Sequence, residues 1–91
     1  MQSDKAAHIN DLMEMIAKID DPKVCRALFE DMCTIKEVEN MAERCYAAKL
    51  LMEGKTYTQI MELADISSAT LSRVSRCVQQ GKGYRTVLKK E

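Results

Sequence analysis

The chain has 91 residues, a formal net charge of zero, four cysteines and a single histidine, His8. That length suits one domain rather than two, and one histidine leaves no histidine-based metal site or catalytic triad within a chain. Helix-forming residues dominate, with three glycines, one proline and no tryptophan, and no stretch alternates like a strand along its length.

The pattern predicts an all-α fold of five or six helices in one unit. Its expected layout is a pair of N-terminal helices in residues 1–33, a long central helix in 34–54, a helix-turn-helix in 56–79 and a basic tail in 80–91. The first helix is expected from about Ala6 to Ile19, with Ile9, Leu12, Met13, Ile16 and Ile19 on one face. Asp21 followed by Pro22 marks the next start, as N-cap and first helical residue. Its apolar side is Val24, Leu28, Phe29 and Met32, with Cys25 alongside.

Thr34-Ile35-Lys36-Glu37 reads as a capping box that opens the long helix. Ile35, Val38, Met41, Ala42, Cys45, Ala48 and Met52 form its expected stripe, and Gly54 supplies a left-handed stop. A second capping box, Thr56-Tyr57-Thr58-Gln59, opens a short helix reaching about Ala64. Asp65-Ile66-Ser67 breaks it, and Ser67 or Ser68 caps a helix from Ala69 to about Gln79, which Gly81 and Gly83 end. Residues 84–91 either add a last short helix or remain a basic tail.

Charge is unevenly placed. Residues 1–65 hold 8 Lys/Arg and 13 Asp/Glu, whereas residues 66–91 hold Arg73, Arg76, Lys82, Arg85, Lys89 and Lys90 against Glu91 alone. An acidic body with a basic end suits a partner rich in phosphate. Cys25, Cys33, Cys45 and Cys77 form no CxxC pair and match no common zinc spacing, so they are expected to be reduced thiols, some of them small core residues. The polar first residues fit no secretory signal, and no run reaches the roughly 18 apolar residues of a membrane span. The expected location is the cytoplasm, with no membrane partner. Gly81-Lys82-Gly83 is too short for a phosphate loop, and no serine, threonine or cysteine has a partnered base, so an enzyme is not expected.

Two helices joined by a short turn, the second with a polar outer face, have the geometry of a helix-turn-helix. Ile60, Ala64, Ile66, Leu71 and Val74 lie where such a pair needs apolar contacts, and Ala64 is small where the helices cross closely. The opposite face of the second helix carries Ser68, Ala69, Ser72, Arg73 and Arg76. Small residues at its N-terminal end and arginines further on suit a helix entering a major groove, with hydroxyls to base edges or phosphate and arginine to guanine or phosphate. Ser67 belongs to the same cluster, and Thr56 and Thr58 stand where the preceding helix would meet the DNA backbone. An ordinary helical hairpin with an exposed Ser/Arg face has the same spacing.

The segment Ser67-Ser68-Ala69-Thr70-Leu71-Ser72-Arg73 resembles the recognition-helix core of many bacterial repressors, with Asp65 where glycine is usual and Met61 where alanine is common. Together with Thr34-Ile35-x-Glu37, Glu43-Arg44 and Leu51-Met52-Glu53-Gly54-Lys55-Thr56-Tyr57, residues 34–80 resemble the Trp repressor-like family, and within it the YerC/YecD branch. The resemblance implies an intertwined homodimer, a palindromic operator in double-stranded DNA and transcriptional regulation, usually repression. It also aligns Arg44 and Arg73 with the two arginines that flank the corepressor tryptophan. Val74 stands where the family has the glycine that leaves room for the indole, and Cys77 replaces a hydroxyl residue beside the ligand amino group. The expectation is therefore no tryptophan corepressor and no other cofactor; any effector is unidentified. Arg44 alternatively serves as a surface arginine paired with Glu43 or Glu39. Two other readings stay open: a helical interaction adaptor that has lost DNA binding, and a small-molecule sensor with an altered pocket near Arg44.

Overall fold

The computed structural model describes residues 4–89 and contains α1 (Lys5–Ala17), α2 (Pro22–Met32), α3 (Ile35–Met52), α4 (Tyr57–Leu63), α5 (Ser68–Gln80) and α6 (Gly83–Leu88), with no strand among the described residues. Most starts are set by a side chain that satisfies a helix N–H lacking an intrahelical partner. Asp4 Oδ1 accepts from Ala7 N–H at 3.0 Å, and Asp21 Oδ1 accepts from Lys23 N–H at 2.9 Å ahead of Pro22. Helix α3 begins immediately after Thr34. The expected box at the start of α4 is complete: Thr56 Oγ1 accepts from Gln59 N–H at 3.2 Å, and Gln59 Oε1 accepts from Thr56 N–H at 2.9 Å.

The stop after α3 is the one left-handed backbone position among the described residues, Gly54 at φ 88°. Gly54 N–H donates to Leu51 O at 3.0 Å and Lys55 N–H to Leu50 O at 3.1 Å, the bond pair that closes a helix around a left-handed residue. A Cβ there would meet no atom within 4 Å, so an alanine is penalised by backbone strain alone. Gly54→Ala is expected to lower stability by about 1 kcal/mol in urea denaturation. An unchanged midpoint would show that the turn relaxes freely.

The chain divides into two compact units, one up to Ile35 and one from Lys36, although no composition shift or linker marks the boundary. In the first, α1 and α2 bury no residue. Leu12, Ile16, Leu28 and Phe29 are half-buried, while Ile9, Met13 and Val24 are each more than half exposed. The apolar faces expected for α1 and α2 are present, but their own unit does not cover them.

In the second unit the core sits where α4 and α5 meet the last turns of α3. Ala47, Leu50, Ile60, Ala64 and Leu71 form one buried cluster, with Leu51 and Ile66 packed against it. Ala48, Val74 and Val78 form another, joined by Met52, Tyr84 and Leu88. The stripe expected along α3 is therefore corrected. Of its residues only Ala48 is buried; Ile35, Ala42 and Cys45 are exposed, and Val38 and Met41 are half-buried. The helix-turn-helix covers only the C-terminal turns of α3, and it covers the face bearing Ala47 and Leu50, whose period the longer stripe obscured. All four cysteines are free and none is buried, which corrects the expectation that some are core residues.

The open alternative at the C-terminus resolves as a helix, α6. Gly81 closes α5, and a Cβ there would stand 2.7 Å from Cys77 O, so a close backbone approach demands glycine. Tyr84 and Leu88, one turn apart, then fold back onto α5 and α3. Lys90 and Glu91 of the expected basic tail lie outside the described residues.

Candidate nucleic-acid interface

Four of the five side chains expected between α4 and α5 are buried: Ile60, Ala64, Leu71 and Val74 are at most 6 % exposed. Ile66, the fifth, is half-buried and touches both core clusters. This core turns the opposite face of α5 outward. Ser68, Ala69, Ser72, Arg73 and Arg76 are all exposed and, at 3.6 residues per turn, share one side of the helix. Thr56 and Thr58, in the first turn of α4, are exposed as well.

Ser67 has a more local task. It is the N-cap of α5: its Oγ accepts from Thr70 N–H at 3.2 Å and donates to Thr70 Oγ1 at 3.0 Å. A hydroxyl has one hydrogen to give, so Ser67 retains only acceptor capacity. Beyond it, the first N–H groups of α5 and the positive end of its dipole lie at the same edge as Ser68 and Ala69, an arrangement that favours phosphate.

At the connection between the helices, Asp65 stands where glycine is usual in the motif it resembles. Asp65 does not adopt a left-handed conformation, because no residue other than glycine has positive φ among those described. Ala64 ends α4 with extended backbone angles (φ −117°, ψ 146°), and Ser67 (φ −75°, ψ 158°) is extended as well. Between them Ile66 N–H donates to Ala64 O at 3.1 Å across Asp65, so the chain reverses without a left-handed residue and glycine is not required.

Arg44 and Arg73 both line a cleft of about 490 Å³, with Thr70, Val74, Cys77 and Tyr84. Among the described residues Arg44 makes no ion pair; Glu43, one of its expected partners, instead accepts a hydrogen bond from the backbone of Asp65. Val74 is 2 % exposed and packs with Ala48 and Val78. Tyr84, for which the sequence leaves open a place against the body or on the phosphate backbone, packs against the cluster of Ala48, Val74 and Val78. Its place could have been sought in the Tyr84–Leu88 spacing after the glycine break, which is that of one helical face. Arg85, an unanticipated contact, donates from Nε to Val78 O and ties α6 to the end of α5. The described residues contain no cluster of metal-ligating side chains and no helix long and apolar enough to cross a membrane.

Residues 7–91 match the family model described as Trp repressor protein. This chain belongs to the Trp repressor family. Its relatives include the uncharacterised protein YerC of Bacillus subtilis (strain 168), 39 % identical over 83 residues that cover 89 % of this chain and 80 % of that protein. The fold is similar to the crystal structure of a Staphylococcus aureus protein described as a candidate Trp repressor, with a TM-score of 0.86 and 33 % identity, covering 97 % of this chain and 91 % of the other. Trp repressor-like proteins are DNA-binding regulators rather than enzymes, which agrees with a helix-turn-helix whose outer face is polar and basic.

Proposed function

We propose that this protein is a sequence-specific transcriptional regulator that acts as a homodimer on a palindromic operator, as a repressor, in a bacterial cytoplasm. The observation that carries the reading is the exposed Ser68/Ala69/Ser72/Arg73/Arg76 face of α5, backed by the buried contacts of Leu71, Val74 and Val78. The α5 face reads the major groove, and Thr56 and Thr58 contact the backbone. Two-fold symmetry sets the half-sites about one helical turn apart. Support for the homodimer comes from α1 and α2, whose Ile9, Met13, Val24 and Met32 remain exposed in one chain. A second copy that buried them would recover roughly 25 cal/mol for each Å² of apolar surface removed from water.

The decisive experiment incubates the protein with sheared genomic DNA at moderate salt and sequences the recovered fragments. Enrichment of a short palindrome is the expected result. Passage through heparin resin at low salt, with no enrichment by folded protein, would favour the interaction adaptor, a reading consistent with the zero net charge. In the same preparation the melting temperature is expected to rise with protein concentration, as it does when folding and association are coupled. A melting temperature constant over a hundredfold dilution would remove the homodimer.

Tryptophan is not the corepressor in this reading, because the branched Val74 occupies the site that the resemblance reserves for the indole. The cleft at Arg44 and Arg73 remains the place for a small-molecule effector. A thermal-shift screen of amino acids and aromatic metabolites tests both statements: stabilisation by tryptophan would overturn the first.

A further inference from the structure

One hydrogen bond at the turn of the helix-turn-helix joins residues far apart in sequence. Asp65 N–H donates to Glu43 Oε1 at 2.7 Å, across 22 residues. Glu43 is half-buried on the middle of α3. The flanking donors of the turn have backbone partners: Ala64 N–H reaches Ile60 O at 2.8 Å and Ile66 N–H reaches Ala64 O at 3.1 Å. Asp65 lies between them, beyond the end of α4 and before the cap of α5, and it is the α3 carboxylate that accepts its N–H.

We propose that Glu43 is a positioning residue for DNA recognition: its carboxylate clasps the Asp65 amide and so fixes the angle at which α5 leaves α4. The proposal rests on the DNA-binding reading given above. Three observations converge on it. The backbone reverses here without a left-handed residue, so the turn lacks the glycine conformation that would otherwise define it. The bond to a carboxylate is charge-assisted and short, hence stronger than a neutral one. Finally, α3 contributes Ala47 and Leu50 to the core beneath α4 and α5, so Glu43 is anchored to the element on which both helices rest. Glu43 touches no face assigned to DNA. Its influence is exerted through geometry, to which a recognition helix is sensitive because base contacts require its side chains to be placed within fractions of an ångström.

The test compares the full chain with Glu43→Ala and Glu43→Gln. Glutamine keeps an acceptor oxygen and loses the charge; alanine loses both. Two quantities are read: hydrogen exchange of the Asp65 amide in the free protein, and affinity for the DNA fragment recovered by genomic selection, at several salt concentrations. Glu43→Ala is expected to accelerate Asp65 exchange and to weaken binding about tenfold, the size of one charge-assisted bond. The salt dependence should stay that of the parent, because no phosphate contact is lost. Glu43→Gln should remain within about threefold of the parent in affinity, the loss expected when an ionic bond becomes a neutral one. Equal behaviour of the two variants would mean that Glu43 acts through its charge and would overturn the clasp. Unchanged Asp65 exchange in Glu43→Ala would overturn it too. If the parent itself recovers no DNA, the DNA-binding reading and the role in recognition fall together, while the exchange measurement still decides whether the clasp exists.

Discussion

Shortening Leu71 to alanine is expected to lower the stability of the protein by about 3 kcal/mol, within the range found for deleting a buried leucine side chain. Leu71 is completely buried and stands with Ile60 as one of the two largest fully buried side chains. It packs in the cluster that joins α3, α4 and α5, together with Ala47, Leu50 and Ala64. Two of those neighbours are alanines, with no flexible side chain able to swing into the space, so the cavity would collapse poorly. A domain of this size has a total stability of roughly 5–10 kcal/mol, and the loss is a large share of it. Urea denaturation at fixed protein concentration measures the effect. Leu71→Met, close in volume, should cost less than about 1.5 kcal/mol. Ser72→Ala, next along the helix but exposed, should change stability by under about 0.5 kcal/mol. If Leu71→Ala and Ser72→Ala were alike, the α3–α4–α5 core would not be what holds the recognition helix.

The second large effect concerns binding. Arg76→Ala is expected to reduce affinity for the selected operator about tenfold and to lower the slope of log affinity against log salt by about one, the signature of a lost phosphate contact. Arg76 is exposed on the outer face of α5 and lies in the C-terminal stretch, residues 66–91, that carries the positive charge. Arg73 shares that face but also lines the cleft with Arg44. If Arg73 reaches a guanine edge, Arg73→Ala should cost roughly 1–3 kcal/mol and relax preference at one base position. Fluorescence anisotropy with the operator and with single-base variants, over a salt series, separates the two roles. An affinity and a salt slope matching the parent's in Arg76→Ala would remove that residue from the interface. Neither substitution should alter the melting temperature appreciably, since both side chains point away from the core.

The two expected effects act on opposite sides of one helix. Leu71, Val74 and Val78 hold α5 in place, and Ser72, Arg73 and Arg76, interleaved with them, face outward. A change on the inner side alters stability and, through it, binding; a change on the outer side alters binding alone. Glu43 belongs to neither side. It acts on the turn before α5, which is why its test pairs amide exchange with affinity.

Much of this architecture is local in origin and was therefore legible in the sequence. The caps at Asp21 and Thr56 and the left-handed Gly54 depend on residues within a few positions of one another. So does the alternation of inner and outer residues along α5, because the helical period ties Leu71 and Val74 to one side and Ser72, Arg73 and Arg76 to the other. Tertiary structure decided what depends on the partner a surface meets. Helix α3 offers more than one apolar stripe, and its burial went to Ala47, Ala48 and Leu50 because the helix-turn-helix packs on its last turns. Cys45 lost the core position its spacing promised for the same reason. The turn at Asp65 needs no left-handed residue, and its amide finds an acceptor in Glu43, 22 residues earlier. Tyr84 and Leu88 found a core only because α6 folds back over α5 and α3. Periodicity and capping are set by neighbours along the chain, whereas the choice among apolar faces and the satisfaction of a lone amide are settled only when distant segments meet.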